Sequence, residues 1–442
     1  MATSSRELAY RTLLAAERDS SRSIDDLLTE AQKNSGMDPR DKRWTMELVY
    51  GVTRMKLLLD AWIEPVFKGR FRKAQYAVKV LLRIGTFQLK FMQTAEHAAI
   101  NETVNLCKKV KQVQSSRLVN AVLRKVQTFE LEQALRKIKD PIQRLSIEKS
   151  HPEWLISKWH DRYEISDVAT LCDHNNKSPK TWIRRNSLKV AQSDFEAYLN
   201  REEVVFQQSS ILESFYELDS AAILLNTPEF WDGWFSFQDI AAGIVATIVD
   251  PQADEIVVDA CAAPGGKMAY LSELSKGKAS IIACDASSKR LIKVKENIER
   301  LGLKQITIQQ LDARNTTLPT ADKILLDVPC TGTGVLGRRP DARWKRQSDD
   351  GDSLVVIQAD ILKNSWESLK PGGVLVYATC SLEPEENWEL IDSVLGDLAG
   401  VVLEPIEGER LKPYIDERGA LATLPWSHSM DGMFAVKMRK KS

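Results

Sequence analysis

The sequence predicts a chain of three parts: an all-helical front module, a small α+β connector, and an α/β domain built on a mostly parallel sheet. Three observations support this division of the 442 residues. Apolar residues recur three and four positions apart through residues 5–130, a pattern typical of amphipathic helices. Short strand-like runs mixed with a helix follow, and beyond residue 236 strands alternate with helices. We therefore expect domains at 1–139, 140–235 and 236–442.

The front module has a clear helical pattern and a basic charge. In AVKVLLRIGTFQLKF, the residues Val78, Leu81, Leu82 and Phe87 can pack into a core. Residues 1–130 carry 23 Lys and Arg against 14 Asp and Glu, so their net charge of +9 balances −9 over the rest of the chain. This asymmetry favours a polyanionic partner, and a solvated helical surface is the alternative.

Composition excludes several classes of protein. No apolar run approaches the roughly eighteen residues of a membrane span, and no signal-peptide pattern opens the chain. The six cysteines and five histidines lack the close spacing of zinc sites and the cysteine density of secreted scaffolds. We expect a cytoplasmic, monomeric protein with reduced thiols, no metal and no membrane partner.

Local patterns predict the elements of the connector and the rear domain. SPKTWIRRNSLKVAQSDFEAYL gives a strand followed by an amphipathic helix, and REEVVFQQ and GWFSFQD add short strands. In the rear domain, strand-like runs separated by helical patterns are EIVVDAC, SIIACDA, ITIQQLD, KILLDVP and GVLVYATC. This alternation predicts parallel strands covered on both faces, with ligands bound beyond their carboxyl ends.

A glycine turn follows the first of these strands, in VVDACAAPGGKMAYL (257–271). Gly265 and Gly266 let the backbone approach a ligand closely, and the helix that follows begins with unpaired amides. The turn is neither a dinucleotide fingerprint nor a Walker loop. On spacing alone, a purely structural turn is therefore an equal alternative to a nucleotide-binding loop.

Acidic residues end three successive strand-like runs, at Asp285, Asp312 and Asp327. A carboxylate at Asp285 can accept hydrogen bonds from both ribose hydroxyls of an adenosine cofactor. Asp312 stands beside it, within reach of an adenine amino group. Each acid alone could be a helix cap, as the serines after Asp285 suggest, but capping explains three successive acids less well.

Two cysteines also stand just beyond strand-like runs, Cys330 in KILLDVPCTGTG and Cys380 in LVYATCSLEPEEN. A thiol near a cationic group at an exposed strand end can have a lowered pKa and react as a nucleophile. A buried, inert thiol is the alternative, and we prefer it for Cys107, Cys172 and Cys284.

The stretches DACAAPGGK, LLDVPCTGTGVLGRRPDARW and YATCSLEPEEN resemble, in order and spacing, the signature motifs of the RNA cytosine carbon-5 methyltransferases. The front module is similar to the NusB RNA-binding domain through LLRIGTFQLKFMQTAEHAAINETVNLCKK and LVNAVLRK. The resemblance implies a NusB-like helical domain, the connector and a Rossmann-like methyltransferase domain. It also implies S-adenosylmethionine as cofactor and RNA as partner, with small-subunit ribosomal RNA as the substrate.

The same resemblance implies a role for each site residue. Carbon 5 of cytosine is too weak a nucleophile to take a methyl group directly, so a thiolate must first add at carbon 6. The family assigns that attack to Cys380, assistance in proton removal and release to Cys330, and contact with the cytosine near nitrogen 3 to Asp327. The implied cofactor set is Cys261, Ala262, Ala263, Pro264, Gly265, Gly266, Lys267, Asp285, Asp312 and Asp327.

The loop GVLGRRPDARWKR (334–346) places five basic residues around Pro340 and Trp344. We expect it to contact RNA phosphates and to stack on a base, and a solvated loop is the alternative. Four positions depart from the family's usual residues without removing a reactive group, namely Met268, Val328, Gly337 and Met433.

Three other functions compete with this interpretation. An amino-group methyltransferase would place an aromatic ring where DVPC has cysteine. The same chemistry could act on transfer RNA, because only the resemblance indicates ribosomal RNA. A NusB-type RNA-binding factor with an idle rear domain would have no need to keep Asp327, Cys330 and Cys380 together with the cofactor acids.

Overall fold

The computed structural model describes residues 4–33, 35–221 and 223–442. The chain separates into two compact units, Met1–Ser178 with Leu336–Ser348, and Pro179–Val335 with Asp349–Ser442. Throughout the described ranges, no helix is long and apolar enough to cross a membrane. The division into three domains at 139/140 and 235/236 stays a prediction.

Helices and strands are numbered separately in chain order. The helices are α1 Ser5–Arg18, α2 Ile24–Lys33, α3 Pro39–Arg54, α4 Lys56–Ile63, α5 Tyr76–Phe91, α6 Glu96–Lys109, α7 Ser116–Thr128, α8 Glu132–Leu135, α9 Pro141–Glu148, α10 Glu153–His160, α11 Ile165–Asn176, α12 Gln192–Arg201, α13 Pro228–Trp231, α14 Ile240–Val249, α15 Gly266–Leu274, α16 Ser288–Leu301, α17 Ala342–Lys345, α18 Asp350–Glu367, α19 Trp388–Val394 and α20 Pro425–His428. The strands are β1 Thr181–Arg185, β2 Phe206–Gln208, β3 Phe215–Leu218, β4 Phe235–Phe237, β5 Ile256–Asp259, β6 Ser280–Asp285, β7 Ile306–Gln310, β8 Ala321–Asp327, β9 Leu369–Thr379, β10 Val401–Glu404, β11 Leu421–Ala422 and β12 Phe434–Lys440.

The first unit is helical, and α5 forms its centre. Almost every α5 residue between Ala77 and Gln88 is buried. Close packing depends on glycine, because a Cβ on Gly51 of α3 would lie 2.0 Å from the Phe87 ring. The amphipathic pattern that predicted a helical core thus corresponds to α5 surrounded by α1, α3, α4, α6 and α7.

The second unit begins with a four-stranded antiparallel sheet of order β2-β3-β1-β4. Phe195 and Tyr198 of α12 are buried in the same core cluster as Ile183 of β1. The predicted strand and helix are β1 and α12, and the predicted short strands contain β2 and β4. The expected boundary at 235/236 falls inside β4, which pairs with β1.

The larger sheet of the second unit has the order β10-β12-β9-β8-β5-β6-β7. The five strands from β5 to β9 pair in parallel, and each overlaps one of the five strand-like runs predicted for the rear domain. The strands β12 and β10 extend the sheet in antiparallel pairing. The fold is therefore the expected Rossmann-like arrangement with a mixed sheet, preceded by the connector and the helical module.

The parallel strands bring the reactive side chains to one edge of this sheet. Asp259, Asp285 and Asp327 end β5, β6 and β8, and Cys380 directly follows β9. Because parallel strands share one direction, their carboxyl ends lie at the same edge, where such sheets bind ligands.

Candidate active site

The two strand-exit cysteines are brought together. β8 and β9 are adjacent, with Asp327 opposite Ala378, so the loops that follow them leave the sheet side by side. The sulfur atoms of Cys330 and Cys380 lie 3.3 Å apart, although 50 residues separate them in sequence. Both thiols are partly exposed. The sheet thus brings the thiols of two motifs that are distant in sequence into contact.

The environment of Cys330 disfavours its ionisation. The hydrogen bond to Cys380 is the largest cause that raises the pKa of the Cys330 thiol well above its ordinary value, and burial and the charge of Glu386 add to it. A thiol with a raised pKa holds its proton at neutral pH. The pair is therefore suited to one thiolate beside one thiol.

The remaining cysteines have the properties of inert thiols. Cys107, Cys172 and Cys284 are fully buried. Burial raises the pKa of Cys172 and of Cys284 to about 12, so neither forms a thiolate under ordinary conditions. Of the predicted cofactor residues, Cys261 also stays protonated, because burial and then Asp259 raise its pKa well above its ordinary value.

Asp327 and Lys267 form an ion pair beside the thiols. The Lys267 ammonium lies 2.7 Å from Oδ2 of Asp327, and the Lys267 side chain is 13% exposed. Burial alone would lower the pKa of Lys267, but the attraction of Asp327 outweighs it and the net change is upward. Cys380 and Asp259 also interact electrostatically with this ammonium. Lys267 was predicted only as part of the cofactor loop, and its charge lies among the reactive groups as well.

The cofactor loop is held by side chains of α16. Arg290 donates to the carbonyl of Ala263 at 2.7 Å, and Asn297 donates to that of Pro264 at 3.0 Å. Gly265 caps α15 with a φ of +105°, a conformation that residues with a Cβ rarely adopt. A Cβ at this position would also lie 3.2 Å from Met268. The glycine is therefore required by the turn itself.

Asp259 is a site residue that sequence reasoning missed. Its side chain is 1% exposed, and neither carboxylate oxygen has a hydrogen-bonding side chain as partner in the described part of the chain. Burial, followed by the charge of Asp327, raises the pKa of Asp259 to about 7. The strand-end rule applied to the acids at 285, 312 and 327 would have found it, because Asp259 ends β5 in the same way.

Asp285 and Asp312 differ in their availability to a ligand. Asp285 is 3% exposed; its Oδ1 accepts from the backbone amide of Ser287, and its Oδ2 lies 3.4 Å from the Arg290 guanidinium. Asp312 lies two residues beyond β7 and pairs with Arg314, which lowers its pKa. A buried carboxylate at this strand end is suited to a ribose, and contacts of Asp285 with ribose and of Asp312 with adenine both stay predictions.

The prediction that the loop at 334–346 contacts RNA is wrong for Arg343. Within the first unit, Arg343 is 1% exposed and donates to the Asn176 side chain at 2.7 Å and to the Asn175 carbonyl at 3.0 Å. The indole N–H of Trp344 donates to the carbonyl of Thr53 at 2.6 Å. Burial with hydrogen-bonding partners fixes this arginine among the helices, so it is not available to a phosphate.

The site contains the features expected of a nucleotide-type cofactor pocket. Asp259 and Asp285 offer buried carboxylates, and the glycine turn starts α15, whose first amides have no carbonyl partner within the helix. A sulfonium cofactor with an amino group and a ribose supplies the matching cation and donors. These residues and this fold define a Rossmann-like methyltransferase of the class that uses S-adenosylmethionine.

Comparison with known sequences narrows the class to one family. Residues 246–439 match the family model described as 16S rRNA methyltransferase RsmB/F, residues 3–128 match the NusB family, and residues 151–223 match the ferredoxin-like domain of RsmF/B-like methyltransferases. The chain is 34% identical to the probable ribosomal RNA small subunit methyltransferase B of Bacillus subtilis, over 99% of both chains. It is 33% identical to that of Shewanella oneidensis, over 95% of both. The chain belongs to the ribosomal RNA small subunit methyltransferase B family.

Solved structures share the fold. The crystal structure of PH0851 is 23% identical, has a TM-score of 0.84, and the match covers 98% of this chain and 99% of that one. A methyltransferase homolog from Pyrococcus horikoshii is 28% identical with a TM-score of 0.58, over 69% of this chain and 100% of that one. NSun6 from the same organism, solved with SFG, is 23% identical with a TM-score of 0.59, and the match covers 66% of this chain and 98% of that one.

Proposed function

We propose that this protein transfers a methyl group from S-adenosylmethionine to carbon 5 of a cytosine in 16S ribosomal RNA, at a site of the cytosine-967 type, through a covalent adduct between Cys380 and carbon 6. The observation that carries the proposal is the 3.3 Å separation of the Cys330 and Cys380 sulfur atoms. Two thiols in contact at the ligand-binding edge of the sheet fit a reaction in which a covalent bond to the base is first made and then broken.

Attack on the base is assigned to Cys380. Its thiolate adds to carbon 6 of cytosine and pushes electron density onto carbon 5, which then accepts the methyl group that the bound cofactor supplies as an electrophile. The Lys267 ammonium interacts with Cys380, and a cation there stabilises a thiolate. Asp327, which is partly exposed, contacts the base near nitrogen 3 while charge on the ring changes.

Release is assigned to Cys330. After methyl transfer, the carbon-5 proton leaves, the electrons of that bond restore the ring double bond, and the Cys380 sulfur departs from carbon 6 as a thiolate. Cys330 lies beside that sulfur and assists removal of the proton once its own proton has passed to solvent, because a thiolate of raised pKa is the stronger base. The raised pKa of Cys330 keeps it from competing with Cys380 as the attacking thiolate.

Cofactor binding is assigned to the loop from Cys261 to Lys267 and to the strand-end acids. The buried carboxylates of Asp259 and Asp285 are suited to the cationic and ribose parts of the cofactor. The glycine turn lets the backbone approach it. Asp312 completes the predicted set, provided that its pairing with Arg314 opens on binding.

The two cysteines can be tested separately with unmodified 16S ribosomal RNA and labelled cofactor. We expect Cys380→Ala to lower methylation by about 10⁴-fold or more and to form no adduct, because the nucleophile is gone. We expect Cys330→Ala to accumulate a protein–RNA adduct that survives denaturation, because release is blocked. Gel electrophoresis under denaturing conditions measures the adduct.

Cys172→Ala serves as the matched control, because it removes a thiol that is buried in the first unit. It should methylate at the wild-type rate and form no stable adduct. Methylation by Cys380→Ala near the wild-type rate would refute the proposed mechanism. Methylation of transfer RNA instead of 16S ribosomal RNA would refute the proposed identity of the substrate.

A further inference from the structure

Glu386 is a fully buried carboxylate between the two loops that carry the thiols. It ends a short 3-10 turn, Pro384–Glu386, in the second unit, and its side chain is 0% exposed. A buried charge of this kind is costly unless hydrogen bonds satisfy it. None of the catalytic steps described above uses Glu386, so its burial requires another explanation.

Glu386 accepts hydrogen bonds from the residue that follows each cysteine. Its Oε1 accepts from the backbone amide of Thr331 at 2.8 Å and from the Gln358 side-chain amide at 2.9 Å. Its Oε2 is within hydrogen-bonding distance of the hydroxyls of Thr331 and Ser381. Thr331 follows Cys330 and Ser381 follows Cys380, so one carboxylate holds both loops.

The residues that precede the cysteines are held by the neighbours of Glu386. Gln358, which bonds Glu386, also donates to the carbonyl of Pro329 at 2.9 Å, directly before Cys330. Asn387 accepts from the Thr379 hydroxyl at 2.6 Å, directly before Cys380, and donates to the carbonyl of Ser381 at 2.9 Å. Each cysteine is thus fixed on both sides by one connected network.

We propose that Glu386 is the positioning residue for both thiols, and that its carboxylate sets the distance between the Cys330 and Cys380 sulfur atoms. The inference rests on the proposed function, because it matters only if the two thiols act in sequence on one base. β8 and β9 fix the loops only up to Asp327 and Thr379, and the cysteines lie beyond these ends. Beyond the strands, the Gly334 amide donates to the Cys380 carbonyl at 3.0 Å, and the hydrogen bonds to Glu386 connect the loops at the residues that directly follow both cysteines.

The charge of Glu386 also acts on Cys330. It is among the causes that raise the pKa of Cys330, and it acts in the same direction on the buried hydroxyl of Tyr377. Tyr377 donates to the backbone carbonyl of Glu386 at 2.7 Å. Glu386 therefore affects both the position of Cys330 and its protonation.

Three variants of the full chain test the proposal. Glu386→Ala removes the hydrogen bonds of the carboxylate, and Glu386→Gln keeps the shape and an oxygen for the amide donors but loses the charge. Glu389→Gln is the matched control, because Glu389 lies three residues further on and is exposed. Thermal unfolding and cofactor binding are measured first for each variant. The methylation rate and the amount of denaturation-resistant adduct are measured next.

We expect Glu386→Ala to turn over about 100-fold more slowly, since small displacements of reacting groups cost rates of this order. It should accumulate the adduct as Cys330→Ala does, while its cofactor affinity stays within about threefold of wild type. Glu386→Gln should turn over at least about tenfold faster than Glu386→Ala. General loss of structure would instead lower cofactor binding and adduct together.

Alkylation by iodoacetamide, followed at each cysteine by mass spectrometry, gives a second measurement. In Glu386→Gln, the reaction of Cys330 should begin at lower pH than in wild type, because only the thiolate reacts and the neighbouring negative charge is gone. If Glu386→Ala does not fold, the pH profile of Cys330 alkylation in Glu386→Gln is the remaining test of the proposal. A profile equal to that of wild type overturns the proposal. Wild-type turnover by Glu386→Ala also overturns it, whereas methylation by Cys380→Ala would overturn the proposed function itself.

Discussion

Asp259 is a buried carboxylate at the edge of the sheet where we propose that the cofactor binds. The pKa of Asp259 is raised by burial to about 7 from an ordinary value of 3.8. Between these two values the folded protein holds a proton that the unfolded chain has lost, so the free energy of unfolding falls as pH rises from about 4 to about 7. A bound cation would offset this cost by stabilising the carboxylate.

Replacement of Asp259 should therefore change stability and binding in opposite directions. We expect Asp259→Asn, without cofactor, to have a free energy of unfolding about 2–4 kcal/mol above wild type at pH 8, a difference that shrinks towards pH 4. Wild-type affinity for S-adenosylmethionine should rise as pH increases through 7, and the variant should bind weakly with no such dependence. Urea unfolding and calorimetric titration at pH 5, 6 and 8 measure both effects.

The matched control for this change is Asp322→Asn, since Asp322 lies near the start of β8 and not at its carboxyl end. Its pKa is lowered rather than raised, because hydrogen bonds from Lys370 and the Ile256 amide outweigh burial. It should lose stability at pH 8 and leave cofactor affinity unchanged. Equal pH profiles for wild type and Asp259→Asn would contradict the role of Asp259.

At the scale of elements, β1 of the small sheet is joined to the cofactor helix α15 by a buried ion pair. Arg184 and Glu273 have side-chain exposures of 0% and 1%, and Arg184 donates to Glu273 at 2.8 Å. The same guanidinium donates to the carbonyl of Gly266 at 3.1 Å, at the start of α15. One arginine thus connects the small sheet to the glycine turn.

Breaking this pair should destabilise the protein and loosen the cofactor loop together. We expect Arg184→Met to lower the free energy of unfolding by about 3–5 kcal/mol, because Glu273 is left as an unpaired buried charge. Cofactor affinity should fall as well, since Gly266 loses its partner. The double variant with Glu273→Leu should recover stability but not affinity. Denaturant unfolding and calorimetry distinguish the two effects, and full recovery of affinity by the double variant would contradict the link to the loop.

Apolar patterns predicted the helices that have one apolar face and the strands that are buried on both faces. The five parallel strands and the amphipathic α16 follow from such patterns. The helix α14 was missed because IAAGIVATIV is apolar on every side and has no periodic signal. The antiparallel strands β10 and β12, which pair with each other, were also missed.

The site was predictable as far as strand ends determine position. Cys330 and Cys380 could be placed at one edge of the sheet, because both follow parallel strands. The contacts of Glu386, the ion pair of Lys267 and the burial of Arg343 depend on loops that meet only in three dimensions. The sequence alone does not distinguish a basic residue that contacts RNA from one, such as Arg343, that fills a buried polar site.

The distribution of charge over the whole chain bears on RNA binding. Residues 1–130 carry the net charge of +9, and α7 presents Arg117, Arg124 and Lys125 as exposed side chains. By contrast, α2 carries Asp25, Asp26 and Glu30 beside its own basic residue, Lys33. If the helical unit docks ribosomal RNA, its phosphate contacts should come from helices such as α7 rather than α2.

Salt dependence of RNA binding measures this difference. We expect Arg124→Glu to weaken binding of 16S ribosomal RNA and to reduce the slope of log affinity against log salt by about 1, because one phosphate contact is lost. Lys33→Glu makes the same charge change on the acidic helix and should leave the slope unchanged. Both variants should keep wild-type cofactor affinity, since the cofactor residues lie in the second unit. Equal salt slopes for Arg124→Glu, Lys33→Glu and wild type would show that α7 contributes no phosphate contact, and the basic charge of the front module would then be a solvated surface.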